Sequence, residues 1–328
     1  MKFAVIVAGF AAALVGAAGC GGDTKSDMGT DGGTTMQTCM PDGKTVAVNG
    51  RYAVRANLLV NVKVVAGCTG SACIVDNDAN AELLLLADMN QSGSSVTTTV
   101  SPCKIVIPPV ALKNQPMPVQ LTVPDALITS VLPVSSTAML GGTDTCASFD
   151  AQPITISLGA SLANAASDAL PAFSSAASPP VVLCGGAVTT ACASTANPTG
   201  PTQKACVCDQ EGDAKIGATL AAKNAPGFED IDFIDVDLRT SVTLSGQVYP
   251  GQELRGKVNG LKLDQNVLGC HRGGATNRDC MDAETNTVAG FNPAVTQSPN
   301  GDSTFVAVPV AAGTSCDQIK AMEATLFP

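Results

Sequence analysis

The chain has 328 residues, with 28 Asp and Glu against 18 Lys and Arg and a net charge of −10. That balance offers no electrostatic route to nucleic acid and no polybasic patch for anionic lipid. Aromatic residues are 3% of the chain and Trp is absent, which argues against the aromatic girdles of a transmembrane β-barrel.

The first element is at the N-terminus. Lys2 is followed by an apolar run over residues 3–15, then by Gly16-Ala17-Ala18-Gly19 and Cys20. This is the layout of an export signal. It is shorter than the roughly 20 apolar residues that a membrane-spanning helix needs. The stretch Ala17-Ala18-Gly19-Cys20 resembles the lipobox of bacterial lipoproteins, with Ala17 where that family prefers Leu. The resemblance implies removal of residues 1–19 as a signal peptide. It also implies acylation of Cys20 and attachment to a lipid bilayer of the cell envelope, the outer membrane rather than the inner one. Cysteine parity points the same way: of 13 Cys, losing Cys20 to lipid leaves an even number that can pair completely. Ordinary secretion, with cleavage after Ala17 and a free Cys20 thiol, is the alternative.

Residues 20–38 carry Gly, Thr and Asp with little apolar content and read as a flexible tether. The folded region is expected over 39–328 as one continuous architecture, with a subdivision near 160–208 as the alternative. Tyr52, Val54, Ala56, Leu58, Val60, Val62 and Val64 alternate with mostly polar residues, the period-two pattern of one long half-buried strand. Further strands are expected at 81–87, 96–100, 104–107, 119–123, 137–140 and 154–158, and a short helix at 124–131. The Ala/Ser-rich stretch 159–180 reads as loop, and 184–208 as a turn-rich insertion. Strands follow at 216–222, 231–238, 241–248, 254–258 and 261–263. Within 231–238 the apolar phase slips between Phe233 and Ile234, which calls for a β-bulge or bend. Residues 270–300 read mostly as loop and 305–310 as a strand. A C-terminal helix is expected over 315–326, capped by Ser315, with Ile319, Met322 and Leu326 on one face.

In an exported chain the cysteines read as disulfides. Short spacing suggests three pairs: Cys68 with Cys73, Cys184 with Cys192, and Cys270 with Cys280. Cys39, Cys103, Cys146, Cys206, Cys208 and Cys316 leave fifteen connectivities open.

Catalytic signals are sparse. A single histidine, His271, excludes motifs that need two, and beside Cys270 it reads as a surface-loop residue. Acidic clusters are the one positive signal. Asp76, Asp78 and Glu82 are spaced as a calcium loop begins, but Ala81 and Ala87 stand where an EF-hand needs Gly and Glu. Asp209, Glu211 and Asp213 resemble the Asp/Gly-rich calcium loops of extracellular proteins, in one degenerate copy. Asp230, Asp232, Asp235 and Asp237 read as a solvated strand face, or one bridged by a hard cation.

The expected fold is mainly β: an antiparallel sandwich or barrel-like sheet with disulfide-pinned loops and a short C-terminal helix. The expected function is that of a non-enzymatic envelope lipoprotein, a binding or structural module whose interior takes an apolar ligand. No cofactor is expected unless calcium binds the acidic loops. A calcium-stabilised adhesion module is the second reading. A polysaccharide hydrolase using paired carboxylates is the third, disfavoured by the scarcity of aromatics.

Overall fold

The computed structural model describes residues 39–63, 77–113, 117–192, 204–225, 230–290 and 294–328. The expected long strand is β1 (Gly50–Lys63). Its even-numbered residues from Tyr52 to Val62 are buried in the main core, while Ala53 joins a second cluster on the opposite face. β2 (Asn77–Ser92) and β3 (Ser95–Val106) form a long hairpin. Ser92 pairs with Ser95, and Gly93, at φ 62°, supplies the left-handed residue of the two-residue turn. β3 runs through both strands expected at 96–100 and 104–107.

Next come β4 (Gln120–Thr122), the short helix α1 (Asp125–Ser130), β5 (Val134–Leu140), β6 (Ser148–Ala151), β7 (Ile154–Leu158) and β8 (Ala160–Leu162). After these lie β9 (Ala205–Val207), β10 (Ala218–Lys223), β11 (Ile231–Val248) and β12 (Leu254–Arg272). The chain ends with β13 (Arg278–Asp279), α2 (Asp282–Ala289), β14 (Ala294–Gln297), β15 (Ser303–Val310) and α3 (Cys316–Leu326).

The pairings close on themselves. Going round, β1 pairs with β2, β2 with β3, β3 with β5, β5 with β6, β6 with β11, β11 with β12, β12 with β15, and β15 returns to β1. Every step is antiparallel, so the sheet is a closed barrel, and closure removes the unpaired edges that an open sheet must protect. One staff of this barrel is made of two strands in line. β15 fills the gap between β1 and β12 over residues 51–57 of β1, and β14 fills it over 60–63. The far side of β11 is shared in the same way by β6, β7 and β10. Met36–Pro328 form one compact unit. Among the described residues no helix is long and apolar enough to cross a bilayer.

Several expectations are corrected. Residues 231–248 form one strand rather than two, as do 254–272, because each keeps pairing through its irregularities. The register of β11 against β12 breaks between Ile231 and Phe233 and again between Asp235 and Val236. These breaks flank the expected slip, leaving Phe233 38% exposed and Ile234 buried. The stretch expected as loop over 270–300 holds β13, α2 and β14. α2 is anchored by Glu284, which is buried and accepts hydrogen bonds from both Arg272 and Arg278.

The disulfides staple loops and helix to this frame. Cys270 pairs with Cys280 as expected. Cys184 does not pair with Cys192. Cys184 joins Cys206, and Cys192 joins Cys208. The reason is local: Cys206 and Cys208 stand two apart on an extended segment and so project the same way, and each takes one cysteine of the facing loop. Cys39 pairs with Cys146, and Cys103 with Cys316. Cys68 and Cys73 lie outside the described residues, as does Cys20.

α3 covers the outer face of the wall. Ile319 and Phe327 pack on Ala53, Leu84 and Cys103. Ser315 and Gln318 cap the helix reciprocally: the Gln318 N–H donates to Ser315 Oγ at 3.3 Å, and the Ser315 N–H donates to Gln318 Oε1 at 2.8 Å.

Candidate ligand cavity

The barrel is filled unevenly. At one end Phe149 and Phe305 meet inside it, ring centroids 6.4 Å apart and tilted by 50°. They pack among Val54, Met89 and Leu254, and only about 20 Å³ is left open. Gly256 makes this fit possible, since a Cβ there would collide with the Ser245 carbonyl oxygen and sit 2.8 Å from the Phe305 ring.

The other end is hollow. A cavity of about 120 Å³ lies there. β1 contributes Leu58, Val60 and Val62, the continuation of the same inward row that is packed solid at the first end. β2 and β3 supply Ala81, Leu83, Ile105 and Val106. The segment after β3 adds Ile107, Pro108 and Val110, held by an antiparallel bridge from Val110 to Val119. Ile156 and Leu158 of β7 and Leu220 of β10 close one side, while Leu261 and Leu263 of β12 and Val295 of β14 close another. β11 contributes Leu238 and Thr240.

Among the described residues lining the cavity, none is ionisable and none is aromatic; the polar members are Thr240 and Gln265. They lie on neighbouring strands. Thr240 pairs with Leu263, and Leu238 pairs with Gln265, so the two polar residues are diagonal neighbours, a spacing of roughly 7–8 Å. Space too small to fill with side chains forfeits dispersion contacts, and an apolar cavity of this size stays dry and accepts apolar guests.

The acidic loops are hydrogen-bonded within the fold. Asp209 is 3% exposed, and its carboxylate accepts hydrogen bonds from the backbone N–H groups of Gly212, Asp213 and Ala214 at 2.8–3.2 Å. Glu211 Oε1 accepts from the Thr219 N–H at 2.6 Å, and Asp213 accepts from the Lys215 N–H and the Thr219 hydroxyl. Burial raises the Glu211 carboxyl above its usual range. Asp78 lies on β2 between the amides of Asn61 and Asn300. The hydrogen bond from Asn300, and then that from Asn61, hold it below the usual carboxylate range. Asp76 lies outside the described residues. Most of these oxygens accept from N–H and O–H donors, whereas Glu211 Oε2 is buried with no hydrogen-bond partner. Among the described residues no three His, Cys, Asp or Glu side chains converge to hold a metal ion. The loop at 209–219 is tied by its own carboxylates, and calcium at Asp209, Glu211, Asp213 and Asp78 is a question for a direct test. Melting the protein in EDTA and in millimolar calcium should give the same midpoint within error. A calcium-dependent rise of several degrees would restore the metal.

His271 is on strand β12 rather than in a loop. Its Nδ1 is 2.8 Å from Asp232 Oδ1, and its ring lies 6.2 Å from that of Phe233. Asp235 and Asp237, read as part of a solvated face, are buried at 7% and 0% exposure. Val181 and Val207 pack on Leu268 of β12 nearby.

No family model and no curated protein matches this chain. What it can do is therefore read from its own geometry. Thr240 and Gln265 fall outside the strands expected from the sequence, and the aliphatic rows, though inward by alternation, could not be recognised as a cavity lining.

Proposed function

We propose that this chain is a non-enzymatic envelope lipoprotein, acylated at Cys20, whose barrel binds an apolar ligand in its hollow end. The lipobox resemblance supports the anchor. The observation that carries the binding reading is the contrast within one barrel: aromatic side chains fill one end solid, and aliphatic walls leave the other end open. Ligand sites are concave and mostly apolar with few polar groups, and this end fits that description.

The test is binding of the neutral fluorophore 1-N-phenylnaphthylamine to the folded full-length chain carrying Cys20→Ser, in detergent-free buffer. Saturable binding is expected. Ala81→Phe and Leu83→Trp, which add bulk to the cavity wall, should each weaken it by roughly tenfold or more while the melting temperature stays within a few degrees. Fluorescence that rises only on unfolding, or binding that neither bulky variant reduces, would overturn the reading.

A further inference from the structure

The cavity wall also defines the kind of ligand, an inference that rests on the binding reading above. Three features constrain it. The described wall is aliphatic on every contributing strand, so among the described residues it offers dispersion contacts but no ring for stacking or for a cation. Among the described residues of the lining there is no ionisable side chain. A carboxylate, phosphate or ammonium group carried into it would lose its hydration with no counter-charge in return. Among the described residues of the lining one corner alone is polar: Thr240 on β11 and Gln265 on β12, diagonal across the strand pair. The inward row of β1 from Leu58 to Val62 gives the cavity a length of roughly 13 Å along the strand, suited to an extended chain. The Phe149–Phe305 plug closes the barrel beyond it.

We propose that the occupant is an uncharged aliphatic chain bearing one hydrogen-bonding head, a long-chain alcohol or acyl-ester type of lipid, seated with its head at the Thr240–Gln265 corner. Thr240 offers a hydroxyl that donates or accepts, and the Gln265 amide, already engaged within the fold, carries more donor and acceptor positions than one partner fills. Together they fit a hydroxyl or ester oxygen and leave an ionic head unmatched.

The experiment is displacement of 1-N-phenylnaphthylamine from the same full-length Cys20→Ser protein by 1-dodecanol and by dodecanoate. At about pH 8, where the carboxyl is ionised, dodecanol should displace the probe at a concentration roughly tenfold lower or better. Near pH 4, where dodecanoate becomes neutral, the gap should close. A double variant, Thr240→Val with Gln265→Leu, keeps the shape of the wall and removes its polar corner. The probe should still bind, and dodecanol should lose roughly threefold to tenfold in potency. Equal potency of the two lipids at pH 8, or a double variant that leaves dodecanol unchanged, would overturn the assignment of ligand class while leaving the cavity as a binding site. Absence of probe binding to the unsubstituted protein would instead overturn the binding reading beneath it.

Discussion

Replacing Cys103 and Cys316 together by Ala should lower the unfolding free energy by about 3–5 kcal/mol, the largest loss expected from any single disulfide here. The bridge joins residues 213 apart in sequence, and in the chain-entropy treatment a closed loop of about 100 residues is already worth about 4.7 kcal/mol. The Cys270–Cys280 bridge spans 10 residues, so its removal should cost about 2–3 kcal/mol less. The position of the bridge matters as much as its length. Cys103 is on β3 and 1% exposed, and Cys316 begins α3, so the bond ties the last helix to the barrel wall. Other contacts hold the same helix: Lys104 Nζ donates to Glu82 at 2.9 Å and to Glu323 at 3.0 Å. Arg55 donates to the Phe327 carbonyl at 3.0 Å and stacks 4.9 Å over its ring. The variant should therefore keep α3 docked at low denaturant and unfold as one unit at a lower midpoint, as followed by circular dichroism in urea. A loss below about 1 kcal/mol, or one no greater than that of the Cys270/Cys280 double variant, would show that the native wall holds α3 without the bond.

Much of the frame was legible because period-two alternation over 14 residues leaves little choice of element: β1 is read directly from the residues between Tyr52 and Val62. The C-terminal helix was legible from Ser315 and from Ile319 and Leu326, which pack on the wall, while Met322, expected on the same face, is exposed. α2 was not, because its anchor is a buried carboxylate. Glu284 looks like a surface residue until the two arginines that surround it, Arg272 and Arg278, are brought in from β12 and β13. The cavity was illegible for a different reason. Alternation tells which side chains point inward, but filling depends on summed volume across strands distant in sequence. Phe149 and Phe305 are 156 positions apart by numbering, and only the closed barrel sets them against each other. Short spacing misled at Cys184 and Cys192 because Cys206 and Cys208, two apart on an extended segment, each take one cysteine of the facing loop.

The second large effect concerns the buried acids of β11. Burial pushes the Asp237 carboxyl from the usual 3.8 up to about 7, although Oδ1 accepts the Asn266 N–H at 3.2 Å. Its Oδ2 is buried and has no partner. Burial likewise raises Asp235 to about 7, against the hydrogen bond from Thr219 and the charge of Lys215, with Asp213 and Asp279 adding like charge. In both cases the folded chain holds a proton more tightly than the unfolded chain. The stability each group contributes is thus fully present below about pH 3.8 and is lost as pH rises through about 7. Each pH unit between the two values is worth about 1.4 kcal/mol, so the loss reaches on the order of 4 kcal/mol per group. An opposing set is lost on the acid side. Asp42, Asp78, Asp88, Asp230 and Glu284 are held below their usual values by hydrogen bonds and arginine partners, and they surrender that contribution only as pH falls through those lowered values. The wild-type curve should therefore peak in mildly acidic solution and decline toward pH 8. Asp237→Asn removes the charge and keeps the shape. It should match wild type within about 1 kcal/mol near pH 4 and exceed it by roughly 2–4 kcal/mol near pH 8, measured by urea melts across that range. The same variant at Asp235 should shift less cleanly, because Thr219 divides its hydroxyl between Asp213 and Asp235. A difference between Asp237→Asn and wild type that is constant with pH would mean that Asp237 stays ionised in the folded barrel, and that its burial is relieved by solvent reaching Oδ2.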